Sequence, residues 1–299
     1  MAEKKLLLRG KIINEIRFFF STLKYLEVET PCRIPTPAPE ANIDMVDSDG
    51  LFLHTSPELC MKRLLADGYE KIFQICRCFR DNERGKKHLP EFTLLEWYWA
   101  GADYLQMMAL TEALIKKVAL EIGIKDLLIY RGDRITLNCP WEKLTVKEAF
   151  NRFASITMEQ AISQNLFDEI LAFEIEPNLG RKKPLFLFDY PEVFGSLAKL
   201  KPDNNLFAER FELYISGLEL CNGFSELTDH KEQRKRFEKE LVLRKLSGKK
   251  NLPMPEKFLK SLKKMPEAAG NALGIDRLVM LFANAGKIDE VVAFTPEEL

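Results

Sequence analysis

Net charge is almost absent from this chain: 44 lysines and arginines face 45 aspartates and glutamates over 299 residues, a balance of −1. The broad basic face that usually marks nucleic-acid binding is not advertised, although clustered cations remain compatible with a neutral total. The six cysteines, Cys32, Cys60, Cys76, Cys78, Cys139 and Cys221, show no Cys-x-x-Cys spacing of a zinc site. The opening run "MAEKKLLLRGKIINEIRFFF" lacks the long apolar stretch and cleavage site of a signal peptide. Reduced thiols in a cytoplasmic protein are therefore expected. No apolar run approaches the ~20 residues of a membrane span. Glycine-rich phosphate loops are missing too: neither G-x-x-x-x-G-K-[ST] nor G-x-G-x-x-G occurs, so any nucleotide must be held another way. Repeats, low-complexity tracts and clear linkers are also absent.

The chain is long enough for a packed core, and its 46% hydrophobic and 30% charged residues are those of a soluble globular protein. Residues 11–25 read as an amphipathic helix, with Ile12, Ile16, Phe19 and Leu23 at helical spacing. "LEVETP" (26–31) reads as a short strand stopped by Pro31, and the proline-rich stretch after it as a loop. "LFLHTSPELCMKRLLADG" reads as strand then helix, with Ser56 as N-cap and Pro57 at the first helical position. Residues 71–80 and 91–100 form a long hairpin around loop 81–90. Helices are expected over 103–122 and near 157–172. "PLFLFDY" reads as a buried strand, and 209–227 as two strands joined near Ser216-Gly217. "HKEQRKRFEKELVLRKLSG" reads as a charged helix with a solvated face, and "GNALGIDRLVMLFANAG" as a strand running into a helix. Antiparallel hairpins mixed with helices point to the α+β class, an antiparallel sheet flanked by helices.

Alternation along 91–99 puts Phe92, Leu94, Glu96 and Tyr98 on one face. An aromatic ring then stands roughly 13 Å from a Glu/Tyr pair at ~3.3 Å per residue, room for a ring ligand at one end and an amine at the other. The loop adds Arg80, Arg84, Lys86, Lys87 and His88, and arginine's fork of donors suits phosphate oxygens. "GLELCNGFSEL" carries Glu219 and Glu226 seven apart. Strict alternation separates them; a bulge at Asn222-Gly223 would bring both to one side, where a magnesium ion shared between them would offset their repulsion of a triphosphate. "GNALGIDRL" offers glycines for close backbone approach and Arg277 near a helix start, a second anion site. Singly, each feature also fits an ordinary core or solvated surface.

Taken in order, these stretches resemble the motifs of class II aminoacyl-tRNA synthetases. "LEVETP" looks like motif 1, whose proline lies at a dimer interface; the hairpin headed by "FR" with "H-x-P-E-F-T-x-x-E" is similar to motif 2, and "GNALGIDRL" to motif 3. "TSPE", "LEWY" and "ELCNGFSEL" resemble the lysine branch. The resemblance spans about residues 11–299, within one catalytic domain expected over 1–299. No anticodon-binding barrel precedes it, so no anticodon recognition is expected, and this truncated form resembles the elongation factor P–(R)-β-lysine ligase family. That resemblance implies activation of (R)-β-lysine, or lysine, with ATP and Mg2+, transfer to a lysine of elongation factor P, and a homodimer. Arg80 would grip the α-phosphate, His88 and Phe92 would frame adenine, Arg277 would hold the tail phosphates and Gly274 would lie beside the nucleotide. Glu219 and Leu220 would line the ATP site, Glu219 and Glu226 would share magnesium, and Ser56, Glu58, Glu96, Tyr98, Asn222 and Glu226 would surround the diamino acid.

Two positions, Asn82 and Leu89, depart from the family pattern, and a third, Ala272, follows the ligase family rather than the lysyl-tRNA synthetases. Asn82 stands where a glutamate usually meets the adenine amino group, and either Asn82 or Glu83 could take that role. Leu89 replaces the commoner asparagine, leaving its backbone to meet the nucleotide. Ala272 stands where lysyl-tRNA synthetases usually carry glycine, and its methyl is expected to discriminate against α-lysine. Two other readings remain at this level: a stand-alone lysyl-adenylate former with tRNA or a small amine as acceptor, and a non-catalytic synthetase-like regulatory module.

Overall fold

The computed structural model describes residues 2–299. Its eight-stranded sheet comprises β1 (Leu26–Glu27), β2 (Lys71–Phe79), β3 (Glu91–Ala100), β4 (Glu142–Thr145), β5 (Leu185–Pro191), β6 (Phe207–Ile215), β7 (Leu218–Ser225) and β8 (Ala268–Gly274). In space they run β1-β2-β3-β8-β7-β6-β5-β4. From β2 to β5 all neighbours are antiparallel, while the edge strands β1 and β4 lie parallel to theirs. The expected α+β architecture is thus the observed one. The β6–β7 hairpin turns on Ser216 (φ 55°) and Gly217 (φ 67°), the two left-handed residues that a tight turn between right-twisted strands needs.

Alternation gives the sheet two unlike faces. On one, Phe73, Leu95, Trp97, Phe211, Leu213 and Leu273 join the largest core, beneath α1 (Ala2–Thr22), α3 (Tyr104–Glu121) and α7 (Ile275–Phe282). The other face is covered at its two ends. α2 (Glu58–Ala66), α5 (His230–Leu246) and α6 (Glu256–Leu262) pack around Ile72 and Tyr98. α4 (Val146–Phe153) and the turns after it pack around Leu187, Tyr190 and Tyr214. Between these covers the sheet carries its polar residues in a cleft.

Several elements differ from expectation for local reasons. α1 starts earlier than 11 and ends at Thr22, because the chain reverses at Lys24 (φ 61°). Its buried stripe runs through Ile12, Ile16 and Phe20, with Phe20 stacked 4.8 Å from Phe73, while Leu23 is left 38% exposed. The helix expected near 157–172 breaks at Asn165 (φ 56°) into Met158–Ser163, Phe167–Ile170 and a π turn at Leu171–Ile175. α5 is not wholly solvated: Gln233, Phe237 and Arg244 are buried. Arg244 donates to the carbonyls of Glu40 and Ile43, at 2.7 Å each, and so pins the proline-rich loop to the body of the protein.

Candidate active site

One end of the cleft is a buried carboxylate pocket. On β3, Glu96 is 2% exposed and accepts hydrogen bonds from Ser56 Oγ (2.6 Å) and the Tyr98 hydroxyl (2.5 Å). Ser56 Oγ also accepts from the Glu58 N–H (3.0 Å), so the cap sits one residue before Pro57 and the helix itself begins at Glu58. One turn along α2, Lys62 places Nζ 2.5 Å from Glu58 Oε1, in contact with the Glu226 carboxylate and 5.0 Å over the Phe224 ring. Burial tends to discharge this lysine, but Glu226 and Glu58 outweigh it and hold the ammonium charged. Glu226 Oε1 is buried without a hydrogen-bond partner. Gly270 leaves the space in front of it: a Cβ there would lie 2.4 Å from the Tyr98 ring and 2.6 Å from Glu226 Oε1.

Burial, with the Glu58 charge behind it, pushes Glu96 up to about 8. Burial likewise pushes Glu226 up to about 8, against the opposing pull of Lys62. Glu40 at the pocket's rim is pushed up to about 7 by the same two causes as Glu96. Of these carboxyls, Glu58 and Glu226 share the resident Lys62, whereas Glu96 is met by two hydroxyls. Charged carboxylates away from water need cationic partners, so the pocket is built to receive positive charge.

The other end gathers cations. Arg80 lies over the Phe92 ring at 5.1 Å, and its Nε is buried without a partner. Arg277, in the first turn of α7, donates to the Glu219 carbonyl and carboxylate (3.0 Å each) and to His88 Nε2 (2.5 Å). His88 is held near 4 by burial first and then by Arg277 and Arg80, so its ring is neutral and accepts from the guanidinium. Burial would raise Glu219, but Arg277, with Arg80 and Arg210, keeps it below the ordinary carboxylate range. Both arginines therefore act on the same two groups, His88 and Glu219, from segments almost two hundred residues apart, and face one cleft.

A bulge does bring Glu219 and Glu226 to one face, but at Leu220 rather than at Asn222-Gly223: the β6–β7 register shifts between Leu213↔Cys221 and Tyr214↔Glu219. The shared magnesium ion expected for Glu219 and Glu226 is overturned by the same register. Six strand steps separate them, ~20 Å at ~3.3 Å each, and Glu226 is already engaged by Lys62. The carboxylate near Glu219 is Glu212, on the adjacent strand opposite Asn222. Burial raises Glu212, Arg210 opposes, and the charge of Glu219 adds to the rise.

Leu220 and Leu89 both belong to the main hydrophobic core. Their side chains point away from the cleft, and their peptide groups alone remain available to a nucleotide. Asn82 is exposed in the left-handed region (φ 62°), whereas Glu83 lies 3.8 Å from Arg80, so Glu83 is the nearer of the two to the cleft cations. Ala272 sits between Glu96 and Asn222 in the sheet register. Gly274 caps α7 and packs against the Arg277 stem. Asn222 is held by Arg210 Nε at 3.1 Å.

The family model of class II tRNA synthetases (D, K and N) matches residues 1–298. The chain belongs to this family. It is 38% identical to the elongation factor P–(R)-β-lysine ligase of Pectobacterium atrosepticum over 310 residues, which cover 98% of this chain and 95% of that protein. The ligase of the same name from Erwinia tasmaniensis is 37% identical, with 97% and 94% covered. The lysine–tRNA ligase of Moorella thermoacetica is 38% identical over 96% of this chain and 64% of its own length.

Sequence reading of this synthetase-family chain missed Lys62, Arg210 and Glu212. Lys62 follows Glu58 by one helical turn, a spacing that was available in the sequence. Arg210, Glu212 and Tyr214 alternate on β6. Arg210 bonds Asn222 and Glu212, and Glu212 accepts from Tyr190 and Tyr214. The period-two signal was present, but nothing in it said which face was the cleft.

Proposed function

We propose that this chain activates (R)-β-lysine with ATP as an aminoacyl-adenylate and passes the aminoacyl group to a lysine side chain of elongation factor P. The observation that carries the substrate reading is the pocket in which Glu58 and Glu226 share Lys62 while the buried Glu96 is met by hydroxyls. A diamino acid brings the positive charge that this pocket lacks. The names and near-complete coverage of the ligases matched above support the same acceptor. The family match over residues 1–298 supports one catalytic domain.

In this reading Glu226, through its free Oε1, and Glu96, steadied by Ser56 and Tyr98, hold the amines; Asn222 and Ala272 line the path between them and the nucleotide. Arg80 grips the α-phosphate, where its unpartnered Nε suits an oxygen. Phe92 and neutral His88 frame the adenine, with Glu83 at its edge and the peptides of Leu89 and Leu220 nearby. Gly274 lets the backbone pass beside the nucleotide. Arg277 exchanges Glu219 and His88 for the outer phosphates. Glu212 and Glu219 stand on the same face of neighbouring strands, one register pair apart, with carboxylates that repel, a donor set that fits Mg2+. When bound, the ion neutralises phosphate charge and orients the tail. The substrate carboxylate attacks the α-phosphorus in line and pyrophosphate leaves; the acceptor amine then attacks the acyl carbon, and AMP and a proton are released. The protein's contribution is positioning and charge stabilisation, without a covalent enzyme intermediate.

The reading includes a cytoplasmic location and a homodimer. β1 lies at the sheet edge, and Leu7, Phe18 and Leu26 on α1 and β1 are exposed, a surface suited to a second copy. Light scattering tests the dimer. The decisive experiment incubates the protein with ATP, (R)-β-lysine and purified elongation factor P and weighs the factor by mass spectrometry. A gain of one β-lysyl group is expected. An unmodified factor beside vigorous lysine-dependent pyrophosphate exchange transfers the reading to an adenylate former with another acceptor.

A further inference from the structure

Strand β2 carries two thiols, Cys76 and Cys78, that the activation chemistry does not use. They project from the cleft face, opposite Leu94 and Phe92. Above them lies His54, 1% exposed, on the segment that leads into Ser56 and Glu58. This segment is fixed by backbone bonds, from the His54 N–H to the Cys32 carbonyl (2.8 Å) and from the Phe79 N–H to the His54 carbonyl (3.0 Å). The two sulfurs are 3.9 Å apart, and Cys78 Sγ is 4.0 Å from His54 Nε2. One donor atom from each of the three residues lies within 4.8 Å of the other two.

These separations approach, and slightly exceed, the edges of a coordination tetrahedron, so that small side-chain rotations would close the set on an ion. Bonds of ~2.3 Å to sulfur and ~2.0–2.1 Å to nitrogen place two ligand atoms on one zinc ion about 3.6–3.8 Å apart. A disulfide fits the pair less well. Residues two apart on a strand have Cα atoms ~6.6 Å apart, near the limit of the ~4.4–6.8 Å that a disulfide spans.

The charge balance also favours a divalent ion. Two thiolates and a neutral imidazole neutralise it fully, which limits the desolvation penalty at a largely buried position. Hard cations prefer oxygen ligands, so this sulfur- and nitrogen-rich set selects a soft or borderline one. His54 Nε2 lies 2.7 Å from the Arg77 carbonyl. Ligation exchanges that contact for the metal bond, with the ring proton carried on Nδ1, and two thiol protons leave to solvent.

We propose that His54, Cys76 and Cys78 form a binding site for a thiophilic divalent cation of the zinc class, with its remaining coordination position open to solvent. The site is separate from the magnesium carboxylates and does not depend on the identity of the acceptor. Its location gives it a consequence. Cys78 neighbours Phe92, and Gln74 on the same strand neighbours Glu96, so a bound ion ties the His54–Glu58 segment to the sheet between the adenine end and the amine end of the cleft.

Cobalt(II) serves as the probe. Titrating reduced, metal-free full-length protein with Co2+ is expected to develop thiolate-to-cobalt charge transfer and tetrahedral visible bands that saturate at one ion per chain. Zn2+ should then bleach them. Cys76→Ser, at a half-buried position where a folded variant is expected, should weaken binding at least about tenfold, as should His54→Gln, while Cys139→Ser should leave the titration unchanged. Circular dichroism establishes that each variant is folded. Absence of the charge-transfer band, or an unchanged titration in folded Cys76→Ser protein, overturns the proposal.

Discussion

Replacing Glu226 by glutamine tests the amine pocket most directly. The substitution keeps the shape of the side chain and removes its charge. Burial pushes this carboxyl upward against the pull of Lys62, so its charge adds little to folding, and the fold should tolerate an amide of the same shape. Lys62 keeps Glu58 as its partner at 2.5 Å. The loss should therefore appear when the diamino acid binds. Hydrogen bonds to charged groups contribute about 1.5–3 kcal/mol, and removing one partner of a buried charge pair costs about 2–5 kcal/mol. A value of ~3 kcal/mol corresponds to roughly 150-fold at ~1.4 kcal/mol per decade. Amino-acid-dependent pyrophosphate exchange should show KM for (R)-β-lysine raised by about two orders of magnitude, with KM for ATP changed less than about threefold. The asymmetry is the informative part, because Glu226 and the phosphate anchors lie at opposite ends of the cleft. A folded Glu226→Gln enzyme whose KM for the diamino acid stays within about threefold of the parent value would refute the assignment.

Gly270→Ala places a methyl within 2.6 Å of Glu226 Oε1; it should abolish diamino acid binding and cost about 1–3 kcal/mol of stability, measured by exchange kinetics and urea denaturation. Because the Glu96 and Glu226 carboxyls, pushed up to about 8, must ionise to hold an ammonium, KM for the diamino acid should fall as pH rises from about 6.5 to 8.5. Their raised native values also mean that stability is fully present below the usual carboxyl range and declines as pH climbs through about 8, so calorimetry should find a lower melting temperature at pH 9 than at pH 7. Leu89→Ala should cost about 2–5 kcal/mol of stability, as large-to-small core changes do, with KM for ATP nearly unchanged; a large rise in that KM instead would return the side chain to the nucleotide site. Arg277→Ala should lower kcat for exchange by about 10²–10³, the scale of losing one preorganised charge donor, whereas a loss below tenfold would remove this arginine from the reaction.

Local patterning carried much of the architecture. The β2–β3 and β6–β7 hairpins, α3 and the β8–α7 junction were all readable from alternation, helical spacing and turn residues. The cleft face of β3 was legible because a strand's side chains alternate without exception over 91–100, so Phe92, Glu96 and Tyr98 had to stand together. Tertiary properties were not legible. The position of the β7 bulge depends on how that strand registers with β6, and misplacing it led to the wrong carboxylate partner for Glu219. Leu220 looked like a cleft residue from its motif neighbours, yet an aliphatic side chain beside a core goes where apolar surface can be buried. Local spacing alone did not show that α2 aims Lys62 between the half-buried Glu58 and the buried Glu226.

The extra residue at Leu220 has a consequence for how this scaffold can change. With it, Leu220 and Cys221 both seal the core while Glu219 and Asn222 both look into the cleft. Losing one residue there would restore strict parity and send either the phosphate-side acid or the whole Asn222–Glu226 selector to the wrong side of the sheet. The nucleotide anchor and the substrate selector can therefore be retuned independently by exchanging side chains, but the distance between them is locked, and length variation in this hairpin should be tolerated in even steps or not at all.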